Sequence, residues 1–164
     1  MWMLLAGLAV AASNWDGKTA DIEANLVVSA PAERVFNFLL DLRNLQKIFP
    51  VDCVGLWDMG ERTFGEGASA IVRYDMGAMH RRLPMTLTHA LAVSQVDFDH
   101  LGNRGFLTRW SLATEGEATR VTVRTPLNPP PKPFLRYYYT VVQPEWQTCY
   151  ARTLTNLASE MVRE

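Results

Sequence analysis

The sequence predicts an α+β fold in which a curved sheet of seven antiparallel strands surrounds one long C-terminal helix, with two short helices after the first strand. Three patterns support this prediction. Apolar residues recur with helical spacing near the start of the chain and again at its end. Between these regions they alternate with polar residues, as in half-buried strands. The connections between strands are short, which favours antiparallel hairpins over crossovers.

The composition is that of one globular domain. The chain has 164 residues, of which 48% are hydrophobic and 20% are charged, so disorder, collagen-like repeats and coiled coil are excluded as descriptions of the whole chain. The 16 basic and 17 acidic residues nearly cancel, which argues against a nucleic-acid partner. No motif for a nucleotide, a metal or another cofactor is present, and none is predicted.

The first elements are a strand and two short helices. Asp21–Ser29 reads as the strand, and Pro31 suits the first turn of a helix. Asp41 is a good N-cap for the second helix, which Pro50 ends. The first helix has an apolar face at helical spacing, formed by Ala32, Val35, Phe36, Leu39 and Leu40.

The middle of the chain is predicted to form six further strands. Each is a run of alternating apolar and polar residues bounded by turn residues. Pro84 lies inside one run and indicates a sheet edge or a bulge there. The predicted strands are Cys53–Met59, Ala68–Met76, Arg81–Ala92, Gln95–Leu101, Gly105–Thr114 and Thr119–Thr125.

A proline-rich connector at residues 128–133 leads into a long segment of helical period that runs to the end of the chain. Pro144 either kinks this helix or begins a new one. Only one long helix is available to cover the apolar face of a seven-stranded sheet. A sheet that curls around the helix is the simplest solution, and it leaves room for a cavity between them.

Residues 1–20 are predicted to be an apolar segment and a polar linker. Met1–Ala12 has no charged side chain and is shorter than the ~20 apolar residues of a membrane-spanning helix. Its length fits a signal peptide, with Ala9 and Ala11 as the small residues of a cleavage site. We expect export to the periplasm, and a cytoplasmic location otherwise. Two alternatives stay open, a helix that packs on the domain and an anchor that lies on a membrane.

The two cysteines, Cys53 and Cys149, lie 96 residues apart. They form no CxxC motif, and no histidine cluster has zinc-ligand spacing. One interpretation is a pair of small buried hydrophobic side chains. The other is a single long-range disulfide, which would require an oxidising compartment.

Several segments resemble the START-like proteins, also called the SRPBCC superfamily. Ile22–Pro50 (IEANLVVSAPAERVFNFLLDLRNLQKIFP) resembles their opening strand, helix start and short second helix. Gly65–Tyr74, Thr108–Val123 and Thr153–Glu164 resemble the turn into the third strand, a later hairpin and the end of the last helix. The resemblance implies the helix-grip fold and a START-like ligand-binding domain over residues 21–164. The superfamily includes lipid and sterol carriers, coenzyme Q-binding proteins and polyketide cyclases/dehydratases.

The strand alternation, together with the cavity that the resemblance implies, predicts a ligand-binding lining. His89 falls on the apolar face of its strand, whereas His80 and His100 are expected at the surface because they lie near strand ends. The predicted lining residues are Val72, Tyr74, Leu83, Met85, Leu87, His89, Val96, Phe98, Phe106, Trp110, Val121, Val123, Tyr138 and Trp146.

Two functions follow from the predicted cavity. The first is binding or transport of an apolar small molecule, such as a lipid, a sterol, a quinone or a polyketide-like compound. The alternative is a polyketide cyclase or dehydratase, a lyase or isomerase in which His89, Tyr74 and Arg81 would be the catalytic residues. The lack of a paired acid and base in the sequence favours the carrier.

Overall fold

The computed structural model describes four stretches of the chain, residues 21–76, 79–100, 107–126 and 141–163. The predicted N-terminal segment and linker, residues 1–20, lie outside the described residues, so export stays a prediction. Two predicted lining residues, Phe106 and Tyr138, also lie outside them.

The described residues form seven strands and three helices in the predicted order. The strands are β1 (Ile22–Val28), β2 (Val54–Met59), β3 (Ser69–Met76), β4 (Met79–Leu91), β5 (Gln95–Asp99), β6 (Leu107–Glu115) and β7 (Ala118–Thr125). The helices are α1 (Ala32–Leu39), α2 (Leu42–Ile48) and α3 (Gln143–Arg163).

The strands form one antiparallel sheet in the order β1-β7-β6-β5-β4-β3-β2. Strands β2 to β7 are a meander, and β1 adds to its far edge, with Ile22 opposite Thr125 and Val28 opposite Thr119. The sheet curls into a half-barrel that holds α3, with α1 and α2 following β1. The predicted fold class is therefore confirmed.

The two short helices form for the reasons that their sequences suggest. The apolar spacing of α1 buries Ala32, Val35, Phe36 and Leu39. The Asp41 carboxylate caps α2 by accepting a hydrogen bond of 2.9 Å from the backbone N–H of Arg43. Helix α1 packs against β5, β6 and β7, so it covers one part of the sheet that α3 leaves uncovered.

Helix α3 packs mainly against β1 and also contacts α2. Pro144 lies in the first turn of α3, and residues 141–142 before it form a π-helical turn; because residues 127–140 lie outside the described part of the chain, both alternatives for this proline stay open. Within the described residues, no helix is both long and apolar enough to cross a membrane. The buried side of α3 carries Trp146, Cys149, Tyr150, Thr153, Leu154, Leu157 and Met161.

Pro84 lies within β4, and the structure describes its partner on one side only. Pro84 lies opposite Ile71 of β3, but the described pairing with β5 stops where Thr86 lies opposite Asp99. A proline has no N–H to donate to a neighbouring strand. The position opposite Pro84 on the β5 side falls outside the described residues, so the edge or bulge that the sequence predicted there stays a prediction.

A β-bulge follows in the same strand. Leu87 lies opposite Phe98, whereas His89 lies opposite Asp97, so Thr88 is an extra residue without a partner in the ladder. One extra residue moves every later side chain of β4 to the other face of the sheet. The predicted alternation therefore holds up to Leu87 and fails after it.

The packing of α3 can be tested with two substitutions on the same helix. Leu157 is fully buried, so Leu157→Ala should lower the free energy of unfolding by about 2–5 kcal/mol. Val162 is 75% exposed, so Val162→Ala should change the free energy of unfolding by less than about 0.5 kcal/mol. Urea unfolding followed by circular dichroism measures both. Equal effects of the two substitutions would contradict the described packing.

Candidate functional site

Most of the predicted lining lies inside the molecule. Leu83 is half-buried and packs against the hydrophobic core. The alternation of the strands thus indicated which side chains point inward, while their contact with a ligand stays a prediction. The buried members of the predicted lining are Val72, Tyr74, Met85, Leu87, Val96, Phe98, Trp110, Val121, Val123 and Trp146.

Two of the predicted catalytic side chains lie elsewhere. His89 was expected to face inward, but its side chain is 54% exposed on the outer face, where Nδ1 lies 3.5 Å from a carboxylate oxygen of Glu66. The bulge at Thr88 is the cause, because it places half-buried Ala90 on the inner side instead. Arg81 is directly opposite Tyr74 in the ladder, but it is exposed at the rim of the sheet.

A different histidine is the partner of Tyr74. The Tyr74 hydroxyl and His100 Nδ1 are 2.5 Å apart, and both side chains are buried. Their rings meet edge to face, with centroids 5.8 Å apart. The expectation that His100 lies at the surface is therefore wrong. The structure brings Tyr74 and His100 together, and it brings neither His89 nor Arg81 into the interior.

The sequence contains a signal for His100. Val96 and Phe98 point inward on β5, and His100 continues the same alternation one step beyond the end of the strand. Its place near a strand end suggested exposure, but the alternation predicts burial. The periodicity of the strand was thus more informative than the distance to its end.

Burial determines the protonation of this pair. It lowers the pKa of His100 from 6.5 to about 4, because a buried imidazolium loses its hydration. Burial also raises the pKa of the Tyr74 hydroxyl well above its usual value, with a smaller contribution from Tyr150. At neutral pH both groups are uncharged. When the Tyr74 hydroxyl donates to Nδ1, His100 carries its own proton on Nε2.

A second polar group lies close to the first. The Tyr150 hydroxyl is 2.6 Å from Thr125 Oγ1 and 3.2 Å from Thr108 Oγ1, and the two threonine hydroxyls are 2.9 Å apart. The Trp146 ring connects the two groups, with centroids 5.9 Å from Tyr74 and 5.6 Å from Tyr150. The interior therefore combines aromatic rings with uncharged hydrogen-bonding groups.

A cavity of about 600 Å³ lies between β1 and α3; we call it the β1–α3 groove. Its apolar wall comes from Ala24 and Leu26 of β1, Ala151 and Leu154 of α3, and the two prolines Pro50 and Pro144. None of the predicted lining residues belongs to it. Its polar lining consists of Glu23, Asn25, Gln147, Thr148, Arg152, Thr155 and Asn156.

The alternation along the strands does not reveal this groove, because it identifies only the two faces of the sheet. Consecutive residues of β1, from Glu23 to Leu26, line the cavity. Because side chains alternate between faces, such a run shows that the groove lies along the free edge of β1. The apolar spacing of α3 identified its buried side, and the groove lies on the adjoining side.

The site offers hydrogen bonding and shape rather than metal chemistry in the described part of the chain. No three His, Cys, Asp or Glu side chains among the described residues could hold a metal ion. The β1–α3 groove can enclose an apolar molecule, since typical ligand sites measure roughly 300–1,000 Å³. The Tyr74–His100 pair can hold a proton and exchange it with a polar group brought into contact with it.

A curled antiparallel sheet around a long C-terminal helix defines the helix-grip fold, as the resemblance to START-like proteins implied. The structure is similar to the solution structure of the KanY protein, with a TM-score of 0.74 at 17% sequence identity over 87% of this chain and 97% of that chain. It is also similar to the Zhui aromatase/cyclase from Streptomyces sp. R1128, with a TM-score of 0.66 at 15% identity over 88% and 94%.

A third similar structure is TTHA0849 from Thermus thermophilus, with a TM-score of 0.63 at 22% identity over 88% of this chain and 98% of that chain. At these identities the likeness shows the fold. No family model matches the sequence, and no curated protein matches it.

The low pKa of His100 predicts a pH-dependent stability. Below pH 6.5 the unfolded chain binds a proton that the folded protein does not accept until about pH 4. The stabilisation is therefore complete above pH 6.5 and is lost as the pH falls towards 4, by about 3 kcal/mol. Urea unfolding of the wild type and of His100→Gln at several pH values measures it.

The loss of stability between pH 6.5 and 4 should be smaller in His100→Gln than in the wild type. The matched control is His89→Gln, because His89 is exposed. Its profile should follow that of the wild type. Identical profiles for the wild type and His100→Gln would show that His100 does not resist protonation.

Proposed function

We propose that this protein binds an apolar small molecule, such as a lipid, a sterol, a quinone or a polyketide-like compound, in the β1–α3 groove. The observation that carries the proposal is the groove itself, a cavity of about 600 Å³ between the gripped helix and the edge of the sheet. A cavity of this volume suits a small ligand, and an apolar wall with polar groups at its margin suits an apolar one.

The wall of the groove belongs to β1 and α3, which pack against the hydrophobic core. Ala24 and Leu26 are half-buried and pack against the hydrophobic core, while Leu154 is almost fully buried. Asn156 anchors α3 to α2 by donating a hydrogen bond of 2.8 Å to the carbonyl of Ile48. A ligand in the groove would cover apolar surface that water now contacts, which gains about 25 cal/mol for each Å².

The polar side chains of the groove would orient the ligand. Arg152 is already engaged by Asp52 through two hydrogen bonds of 2.7 and 2.9 Å. Gln147 and Thr155 lie on the same helix with their side chains at the groove. Amide and hydroxyl groups of this kind suit a carbonyl or hydroxyl on the ligand better than a permanent charge.

A bulky side chain placed in the groove should weaken ligand binding. In Ala151→Phe a ring replaces a methyl group on the groove wall, so the affinity should fall at least about tenfold. Ser159→Phe adds the same bulk at an exposed position of α3 outside the groove, and it should bind as the wild type does. Isothermal titration calorimetry with a fatty acid, a sterol, a quinone and a flat aromatic polyketide measures the affinities.

Two results would contradict this site. One is the absence of saturable binding of every probe to the wild type. The other is unchanged affinity in Ala151→Phe together with a loss in Tyr74→Phe and quenching of Trp110, which would place the ligand among the predicted lining residues instead. Calorimetry at two temperatures adds a further check, because burial of apolar surface gives a negative heat-capacity change.

The second candidate function is a cyclase or dehydratase, and the Tyr74–His100 hydrogen bond favours it. The sequence offered no paired acid and base, whereas the structure places a phenol and an imidazole 2.5 Å apart. Tyr74 could donate a proton to a substrate oxygen while His100 replaces it, since both are uncharged at neutral pH. The Zhui aromatase/cyclase shows that this fold can carry out such a function in another protein.

Turnover would distinguish the two functions. If the protein is an enzyme, Tyr74→Phe and His100→Gln should each lower kcat for cyclisation of a poly-β-ketone by about 100-fold or more while substrate affinity is kept. His89→Gln and Arg81→Gln should leave kcat unchanged, because both side chains are exposed. Mass spectrometry of the products measures the conversion. Binding without conversion by the wild type supports the carrier.

A further inference from the structure

The two cysteines meet in the folded protein. Cys53 lies in the turn before β2, and Cys149 lies in the second turn of α3. Neither is in a disulfide, and both are buried. Both line the same small cavity, and each lies close enough to shift the pKa of the other. The structure therefore agrees with the first interpretation from the sequence, a pair of buried cysteine side chains that are not bonded to each other.

An ion pair at the surface joins the two segments that carry the cysteines. Arg152 follows Cys149 by one helical turn, and Asp52 directly precedes Cys53. The Arg152 guanidinium donates two hydrogen bonds to the Asp52 carboxylate, at 2.7 and 2.9 Å. This bidentate contact fixes the turn before β2 against α3 immediately beside the thiols.

The thiols can be reached through a second cavity. A space of about 400 Å³ is lined by both cysteines and by Thr148 and Pro144. The charged groups around it are Asp52, Asp75, Glu145 and Arg152. A small molecule that enters this cavity meets both sulfur atoms, although each is shielded from the bulk solvent.

We propose that Cys53 and Cys149 are a reversible thiol–disulfide site that is oxidised by small-molecule disulfides of the glutathione type. The proposal rests on the neighbouring thiols, the ion pair that joins their segments and the cavity that both line. It does not depend on the ligand proposed for the β1–α3 groove.

Cys53 would react first. The contact with Cys149 lowers the pKa of the Cys53 thiol, whereas the same contact and burial raise the pKa of Cys149. The Cys53 thiolate attacks one sulfur of the small disulfide, forms a mixed disulfide and releases one small thiol. The deprotonated Cys149 sulfur then attacks Cys53 Sγ and releases the second small thiol. The two cysteines lose two electrons and two protons, which reduce the small disulfide to two thiols.

Oxidation would tie the start of α3 to the edge of the sheet. The bond would close a loop between residues 96 apart in the sequence. Such a cross-link restricts the unfolded chain, so the oxidised protein should unfold at a higher temperature than the reduced protein. Cys149 lies next to Tyr150, so the bond would also fix the turn of α3 that carries the hydroxyl cluster.

The test uses the reduced full chain in glutathione buffers of increasing oxidised fraction. Samples are quenched with acid, alkylated and measured by intact mass spectrometry and peptide mapping. We expect one Cys53–Cys149 disulfide, recognised by the loss of two hydrogen atoms, with a higher Tm and full reversal by dithiothreitol. In Cys149→Ser the reaction should stop at glutathione bound to Cys53, and in Cys53→Ser no stable adduct should form.

Two outcomes would overturn the proposal. One is complete alkylation of both thiols after every buffer. The other is a persistent glutathione adduct in the wild type, which would show that Cys149 cannot reach Cys53. If a serine variant does not fold, the alanine variant at the same position replaces it. As a second measurement, Asp52→Asn should slow disulfide formation several-fold, because it weakens the ion pair with Arg152. An unchanged rate would show that this ion pair does not assist disulfide formation.

Discussion

The packing of α3 against the curled sheet is the contact on which the rest of this structure depends. Seven strands present a wide apolar face; α1 packs against the part formed by β5 to β7, and α2 contacts β2. Helix α3 packs along β1, and its Trp146 ring contacts Tyr74 of β3, so the sheet bends around the helix. This bend encloses Tyr74 and His100. The bend also leaves the β1–α3 groove, at the point where α3 and the outer edge of β1 lie apart.

Three different sides of α3 contribute residues to three separate sites. Its buried side carries Trp146 and Tyr150, which connect the two interior polar groups. The side that faces β1 carries Ala151 and contributes to the groove. Cys149 faces the turn before β2, where it meets the other thiol. A shift of α3 along its axis would alter all three places together, so the proposed ligand groove, the proposed proton-transfer pair and the proposed thiol site share one structural support.

The sequence predicted the fold well because its main signals are periodic. Each predicted strand matches an observed strand to within a few residues, and the caps at Pro31 and Asp41 mark the two short helices. The site was predicted less well. The bulge at Thr88 depends on how β4 pairs with β5, which no pattern within β4 reveals, and it moved His89 outward. The position of His100 could have been found from the alternation of β5, whereas the groove depends on how α3 lies against β1.

The position of β1 has a consequence for the synthesis of the chain. This strand is made before every other strand of the sheet, but its partner is β7, roughly a hundred residues later. The meander from β2 to β7 can form from neighbouring segments as they appear, since its hairpins are local. β1 and the helices that follow it must wait until β7 and then α3 are available. The nascent chain therefore keeps β1 without its partner strand until β7 has been made, and a strand in that state has its backbone hydrogen-bonding groups available to other segments.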